Sequence, residues 1–179
     1  SLRDSPWSRA LGEDFVRIAF DAAHQADPDA LLFYNDFDLF SRPEKRRAAL
    51  DLLDRVRASG VPVHGVGLQT HVWHTLGRGR IRGAIREVVD AGYQVHLSEI
   101  DISVNSSARD LPEPTERLLR AQARVMTHLR DAYDDVPADQ NYGWTFWGIG
   151  DADSWIPGFF GRSDFPLLYD TSYQPKPML

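Results

Sequence analysis

Strand-like and helix-like patterns alternate along this chain without a break, and the strand-like ones recur at a nearly constant interval. Apolar strand patterns begin near residues 31, 63 and 94, and a fourth covers residues 142–148. Helical patterns occupy residues 12–25, 43–59, 81–91 and 114–133, with stops at Asp27-Pro28, Gly60 and Gly92. An interval of about 31 residues is one strand-plus-helix unit of an eightfold barrel of about 250 residues. Helical connections between neighbouring strands impose a parallel sheet with right-handed crossovers. The order α-β-α-β-α-β-α-β therefore predicts an α/β fold with about four parallel strands and alternating helices. A small open sheet has the same element order. Polar residues at the C-terminal end of every strand favour the barrel, where they converge on one mouth.

At 179 residues the chain is long enough for one core that buries roughly 70% of its unfolded surface. Nothing in residues 1–179 reads as a linker, a low-complexity tract or a second domain. The net charge of −6 argues against a nucleic-acid partner and against adhesion to an anionic membrane. The absence of cysteine removes disulfides and thiolate metal sites but leaves the redox compartment open. No apolar run reaches the length of about 18 residues that spans a membrane. No signal-peptide pattern opens the sequence, and residues 1–4 read as the interior of something longer. Gly77-Arg78-Gly79-Arg80 lacks the lysine-serine/threonine ending of a phosphate loop and is expected to form an exposed turn. No Gly-x-Gly-x-x-Gly follows a strand, which weakens a nucleotide-binding sheet.

Strand alternation sorts the polar residues into faces. On the second strand Gly65, Gly67, Gln69 and His71 share a side. On the third, strict alternation puts Val95, Leu97, Glu99 and Asp101 on one side and His96, Ser98 and Ile100 on the other. Gln69, His71, Glu99 and Asp101 are therefore expected in one mouth. On the fourth strand Thr145 and Trp147 share a side, while Trp144 and Phe146 pack under helices. A carboxylate beside a histidine reads as a nucleophile held by hydrogen bonds, with Asp101 accepting the other ring proton. An ionised, aimed carboxylate suits covalent catalysis at the anomeric carbon of a sugar. The structural alternatives are a loop cap or salt bridge for Glu99 and a satisfied rim residue for His71. Trp147 and Trp155 are candidates for stacking on pyranose rings. His24, His64, His96 and His128 receive no role, His96 being expected to face outward. No cluster has convincing metal-ligand spacing.

The motifs extend well beyond these few residues. Tyr34-Asn35-Asp36, the run from Gly65 to His71, His96-Leu97-Ser98-Glu99-Ile100-Asp101, Thr145-Phe146-Trp147-Gly148 and Asp151-Ala152-Asp153-Ser154-Trp155 occur in order. They are followed by Pro166-Leu167-Leu168-Tyr169-Asp170 and Tyr173-Gln174-Pro175-Lys176-Pro177. Together they resemble glycoside hydrolase family 10, the retaining endo-β-1,4-xylanases, across nearly the whole chain. The resemblance implies that Glu99 is the nucleophile, held by His71, with Asp101 as the second partner of that histidine. It implies that Gln69, Trp147 and Trp155 line the sugar subsites, and places Asn35 near the cleft. Ser98 and Ile100 stand where threonine and leucine are commoner, and Trp144 where an aliphatic residue is usual.

The resemblance also implies a gap. In the family the acid/base glutamate ends the fourth strand, in a Trp-Asp-Val-Val-Asn-Glu type of segment that would precede Ser1. The chain then corresponds to the C-terminal half of a (β/α)8 TIM barrel, from helix four through strand eight, with strands one to four absent. Glu13 is expected to serve its helix start, not the chemistry. The expectation is a retaining xylanase acting on xylan or xylo-oligosaccharide without a cofactor, secreted, and nearly inactive as this chain alone. The alternative is a catalytically incompetent half-barrel that binds xylo-oligosaccharide or assembles only with a complementary N-terminal half. Open edges on the first and last strands predict self-association or poor solubility in isolation.

Overall fold

The computed structural model describes residues 3–107 and 110–179, so the expectation for residues 1–4 lies partly outside the described residues. The elements are α1 (Pro6–Leu11), α2 (Asp14–Ala26), β1 (Phe33–Asp36), α3 (Pro43–Ala58), β2 (Gly65–Trp73) and α4 (Arg78–Asp90), then β3 (Gln94–Ser103), α5 (Glu116–Asp134) and β4 (Asn141–Phe146). A 3-10 turn (Asp151–Asp153) and α6 (Trp155–Phe160) follow. The helix starts use ordinary chemistry: a Ser5–Ser8 capping box for α1, Pro43 at the first turn of α3, and the Thr115 hydroxyl accepting from Leu118 N–H at α5. Gly60 and Gly92 follow α3 and α4 with φ of 88° and 76°, a region that suits glycine after a helix end.

The four strands pair in the order β1-β2-β3-β4, all parallel. Val66 and Leu68 of β2 lie opposite Val95 and Leu97 of β3, and Leu97 lies opposite Trp144 of β4. Their helix-facing sides meet Ile81, Ile85 and Val88 of α4 and Val125 and Leu129 of α5 in one continuous core. Each such buried side chain contributes about 1.5–3 kcal/mol relative to exposure. Trp144 joins this layer, edge-on to Tyr133 of α5 at 5.3 Å between ring centres.

The opposite face is concave. Phe33 of β1 and Tyr142 of β4 belong to strands three spacings apart, about 14 Å along a sheet, yet their ring centres lie 4.3 Å apart. His96 completes the cluster, 5.1 Å from the Tyr142 ring. A Cβ on Gly65 would collide with the Phe33 ring, so the missing side chain makes room for this filling of the inner face. Curvature of this kind belongs to a barrel wall.

Two sequence expectations change here. The pairing of β2 with β3 runs Gln69 to Ser98 and then His71 to Asp101, so β3 spends one extra residue in between. That bulge, with Glu99 at φ 54°, breaks the strict alternation on β3. Val95 and Leu97 face the helices. His96 and Ser98 face inward, where His96 Nε2 lies 2.8 Å from Thr145 Oγ1 and Ser98 Oγ reaches Asn35. His96 is therefore not outward-facing. The Gly77–Arg80 segment is not a free turn either: Gly77 caps α4 and the next three residues form its first turn. The helical pattern at 12–25 is α2, and Glu13 at its start pairs with Arg55 at 2.6 Å. Among the described residues no helix is long and apolar enough to cross a membrane.

Candidate active site

The C-terminal ends of β1, β2 and β3 bring Asn35, His71, Glu99 and Asp101 into one hydrogen-bonded group. Glu99 is its centre. Its Oε1 accepts from Asn35 Nδ2 at 2.6 Å, and its Oε2 lies 3.0 Å from His71 Nε2. A non-glycine residue in the left-handed region is strained by about 1 kcal/mol or more. Here that conformation turns the carboxylate out of the pleat and onto the two donors.

Asp101, one of the most buried acids, lies with its Oδ2 2.8 Å from His71 Nδ1. The same oxygen accepts from the indole N–H of Trp155 at 2.8 Å. The imidazole thus bridges two carboxylates. Burial by itself pushes His71 down. The hydrogen bonds and charges of Asp101, and then of Glu99, outweigh it and hold the His71 pKa above its ordinary value. A proton retained on the ring lets Nε2 donate to Glu99 while Nδ1 donates to Asp101.

The two tryptophans flank this group. Trp155, at the start of α6, lies 5.2 Å from the His71 ring, and Trp147 lies 6.1 Å from it, edge-on. Trp147 is 46% exposed, a large apolar surface turned to solvent beside a charged pocket. Gln69 stands on the inner face of β2, two residues before His71, and its amide makes no hydrogen bond among the described residues. With His71 it borders a cleft of about 190 Å³ that continues past Phe40 and Trp73 to Arg80.

The surrounding scaffold is charged and mostly satisfied. Asp36, next to Asn35, accepts from Tyr34 Oη and from Lys45 Nζ, each at 2.9 Å. Burial, together with the Asp36 charge, drives the Tyr34 hydroxyl up, so it stays a donor. The segment leading to Trp155 is fastened by Asp151, whose carboxylate meets Lys176 Nζ at 2.9 Å with both side chains almost wholly buried. Among the described residues no three His, Asp or Glu side chains converge in a way that could hold a metal ion.

All seven residues singled out in the sequence lie at this end of the sheet or in the segment after it. Six join the contact group directly, and Gln69 stands beside it. Three links lay outside the sequence reading: the Trp155 indole on Asp101, the inward side of Ser98, and the Asn35 amide on Glu99. The first has no local signal, because 54 residues separate the partners. The second is hidden by the bulge.

The chain as a whole has relatives. The model for the family described as "Glycosyl hydrolase family 10" matches residues 1–179. An endo-1,4-beta-xylanase of Geobacillus stearothermophilus is 39% identical over 184 residues, covering 98% of this chain and 54% of the relative. Endo-1,4-beta-xylanase B of Paenibacillus barcinonensis is 37% identical, with 98% and 54% covered. A solved GH10 structure from Paenibacillus barcinonensis superposes with a TM-score of 0.91 at 28% identity, over 99% of this chain and 55% of that one. A GH10 endoxylanase from a sugarcane soil metagenome gives 0.89 at 32% identity, with 99% and 56% covered. The chain thus spans about half the length of the relatives it matches, and its four parallel strands with alternating helices are the C-terminal half of their TIM barrel.

Proposed function

Since the chain belongs to glycosyl hydrolase family 10, we propose that it carries the nucleophile side of a retaining endo-1,4-β-xylanase site. The observation behind this reading is the Glu99 carboxylate, held by Asn35 and His71 and turned into a mouth flanked by Trp147 and Trp155. Glu99 attacks the anomeric carbon of a xylosyl unit while the bond from that carbon to the leaving sugar oxygen breaks. The leaving oxygen takes its proton from a second carboxyl group about 5–5.5 Å away. Asp101 is committed to His71 and Trp155 and does not fill that role. The acid/base glutamate is assigned to the half of the barrel outside residues 1–179. Water, deprotonated by that same glutamate, then attacks the glycosyl–Glu99 ester and returns the carboxylate with net retention.

His71 and Asp101 are the positioning pair. The ionised Glu99 is the form that Nε2–H donation favours, and Asp101 keeps the ring in the right orientation to donate. Trp147 and Trp155 supply apolar faces for xylosyl rings, and Gln69 supplies amide groups for sugar hydroxyls. The polymeric substrate places the working enzyme outside the cell. The unpaired edges of β1 and β4 favour a second reading, in which this chain alone is a half-barrel that binds xylo-oligosaccharide without turnover.

Proton NMR of xylohexaose hydrolysis separates the two, run with the chain alone and with the N-terminal half of a family 10 xylanase added. The first reading expects turnover only with the added half, β-anomeric product appearing first, and no turnover with Glu99→Ala. Turnover that survives Glu99→Ala, or α-anomer appearing first, overturns it. Binding without turnover in either mixture supports the second reading.

A further inference from the structure

One pair of residues near the site has no role in the chemistry described above. Ser98 and Gly67 face inward on neighbouring strands, one before the bulge on β3 and one on β2, and both bear on the Asn35 amide. Ser98 Oγ donates to Asn35 Oδ1 at 2.6 Å, and the serine is almost fully buried. On β2, a Cβ added to Gly67 would collide with that same Asn35 Oδ1. The strand register sets Asn35 directly opposite Gly67.

An amide has two ends of similar shape and opposite character. Turned one way, Asn35 donates Nδ2–H to Glu99 Oε1, at 2.6 Å. Turned by 180°, it sets Oδ1 against the carboxylate and repels it. The carboxylate, which only accepts, selects the first orientation; a hydroxyl could serve either end, and Ser98 Oγ supplies the donor that the Oδ1 on the other side then requires. We propose that Ser98 and Gly67 are positioning residues for Glu99, acting through Asn35: the hydroxyl of Ser98 donates to Oδ1 and holds the amide with its Nδ2 end on the carboxylate, and the bare Cα of Gly67 gives the amide the space to be there. Ser98 never touches the substrate in this account.

The inference uses the reading above only in calling Glu99 the nucleophile; the hydrogen-bond chain itself is measurable without turnover. Side-chain amide NMR on the full 179-residue chain resolves the two Nδ2 protons of Asn35. The one on Glu99 is expected downfield and slow to exchange with water. Ser98→Ala is expected to speed that exchange about tenfold, the size of one net hydrogen bond, and Ser98→Thr, which keeps the hydroxyl, is expected to leave it slow. Gly67→Ala reaches the same amide from the other strand and is expected to speed exchange too, which keeps the test open if Ser98→Ala is poorly folded. In Asn35-dependent labelling of Glu99 by an activated 2-fluoro-xylobioside, Ser98→Ala should lower the labelling rate constant several-fold and leave the binding constant unchanged. An Asn35 proton equally protected in wild type, Ser98→Ala and Gly67→Ala overturns the proposal, as does a Ser98→Thr variant that behaves like Ser98→Ala. Protected Asn35 protons in a chain that is not labelled at Glu99 either alone or with the N-terminal half added would support the positioning chain and count against the nucleophile reading alone.

Discussion

Replacing Lys176 by methionine should destabilise this chain severely, although Lys176 lies far along the sequence from the reacting group. The side chains of Lys176 and Asp151 are 4% and 0% exposed, and Nζ approaches Oδ2 at 2.9 Å. Nζ also donates to the Phe165 carbonyl at 2.6 Å, and Asp151 Oδ1 accepts from Leu167 N–H at 2.8 Å. Burial pushes the Asp151 carboxyl up and is only partly offset by the lysine charge; burial likewise pushes Lys176 down. Removing one partner leaves a buried charge uncompensated, at a cost of about 3–5 kcal/mol. In a chain of this size each kcal/mol moves Tm by about 2–4 °C, so the expected drop is about 6–20 °C at pH 7. The double variant Asp151→Asn/Lys176→Met keeps an acceptor for Leu167 N–H without a charge, and should recover a large part of the loss. The sign with pH follows from Asp151. A carboxyl whose folded pKa is raised destabilises the fold above that pKa and ceases to do so once protonated, so the gap between Lys176→Met and wild type should narrow as pH falls through it. Thermal unfolding followed by circular dichroism at several pH values reads all of this. A Lys176→Met Tm within about 2 °C of wild type, or a double variant no better than the single, would refute the reasoning.

Three further outcomes follow from the same contacts. Asp101→Asn removes the chief upward influence on His71 and leaves burial dominant, so the imidazole should titrate at lower pH than in wild type; the Cε1–H resonance reports it, and an unmoved midpoint contradicts the bridge described here. Trp155→Phe keeps a ring but deletes the indole N–H to Asp101, and should weaken xylotriose binding about three- to tenfold by calorimetry, whereas unchanged affinity would show that the indole contact does not place the ring. The unpaired edges of β1 and β4 should drive self-association of the isolated chain in light scattering; a monomer that melts cooperatively would contradict it.

What the sequence reveals depends on how local each constraint is. β2 is legible because its alternation is unbroken: Gly65, Gly67, Gln69 and His71 point inward while Val66 and Leu68 enter the helical layer. On β4 alternation separates Trp144, on the helical side, from Thr145, which meets the inward His96, but it breaks earlier in the strand, where Tyr142 faces inward although two residues from Trp144. β3 misleads because a bulge leaves no mark in composition, and one inserted residue reverses the faces of Val95 through Ser98 relative to Glu99. His96 and Ser98 were lost to the inner face by that single step. The helix α6 escaped because six residues are too few to show a period; its start is set by Ser154 capping Ile156 N–H. Pairs such as Asp151 with Lys176, or Asp101 with Trp155, are fixed by the tertiary fold and have no spacing rule to find them. The motifs that carry the family resemblance contain the residues that meet at this end of the sheet, but which atoms they share is visible only in three dimensions.

The central claim is that Glu99 is a nucleophile already built by this half of the barrel or completed by the other. Intact-protein mass spectrometry after exposure to 2,4-dinitrophenyl 2-deoxy-2-fluoro-xylobioside tests it most directly, because that leaving group departs without a proton and needs no acid catalyst. The account predicts one glycosyl adduct that maps to Glu99 and is absent from Glu99→Gln, formed by the chain alone or once the N-terminal half is added. An adduct on any other residue, or none in either mixture, would contradict it.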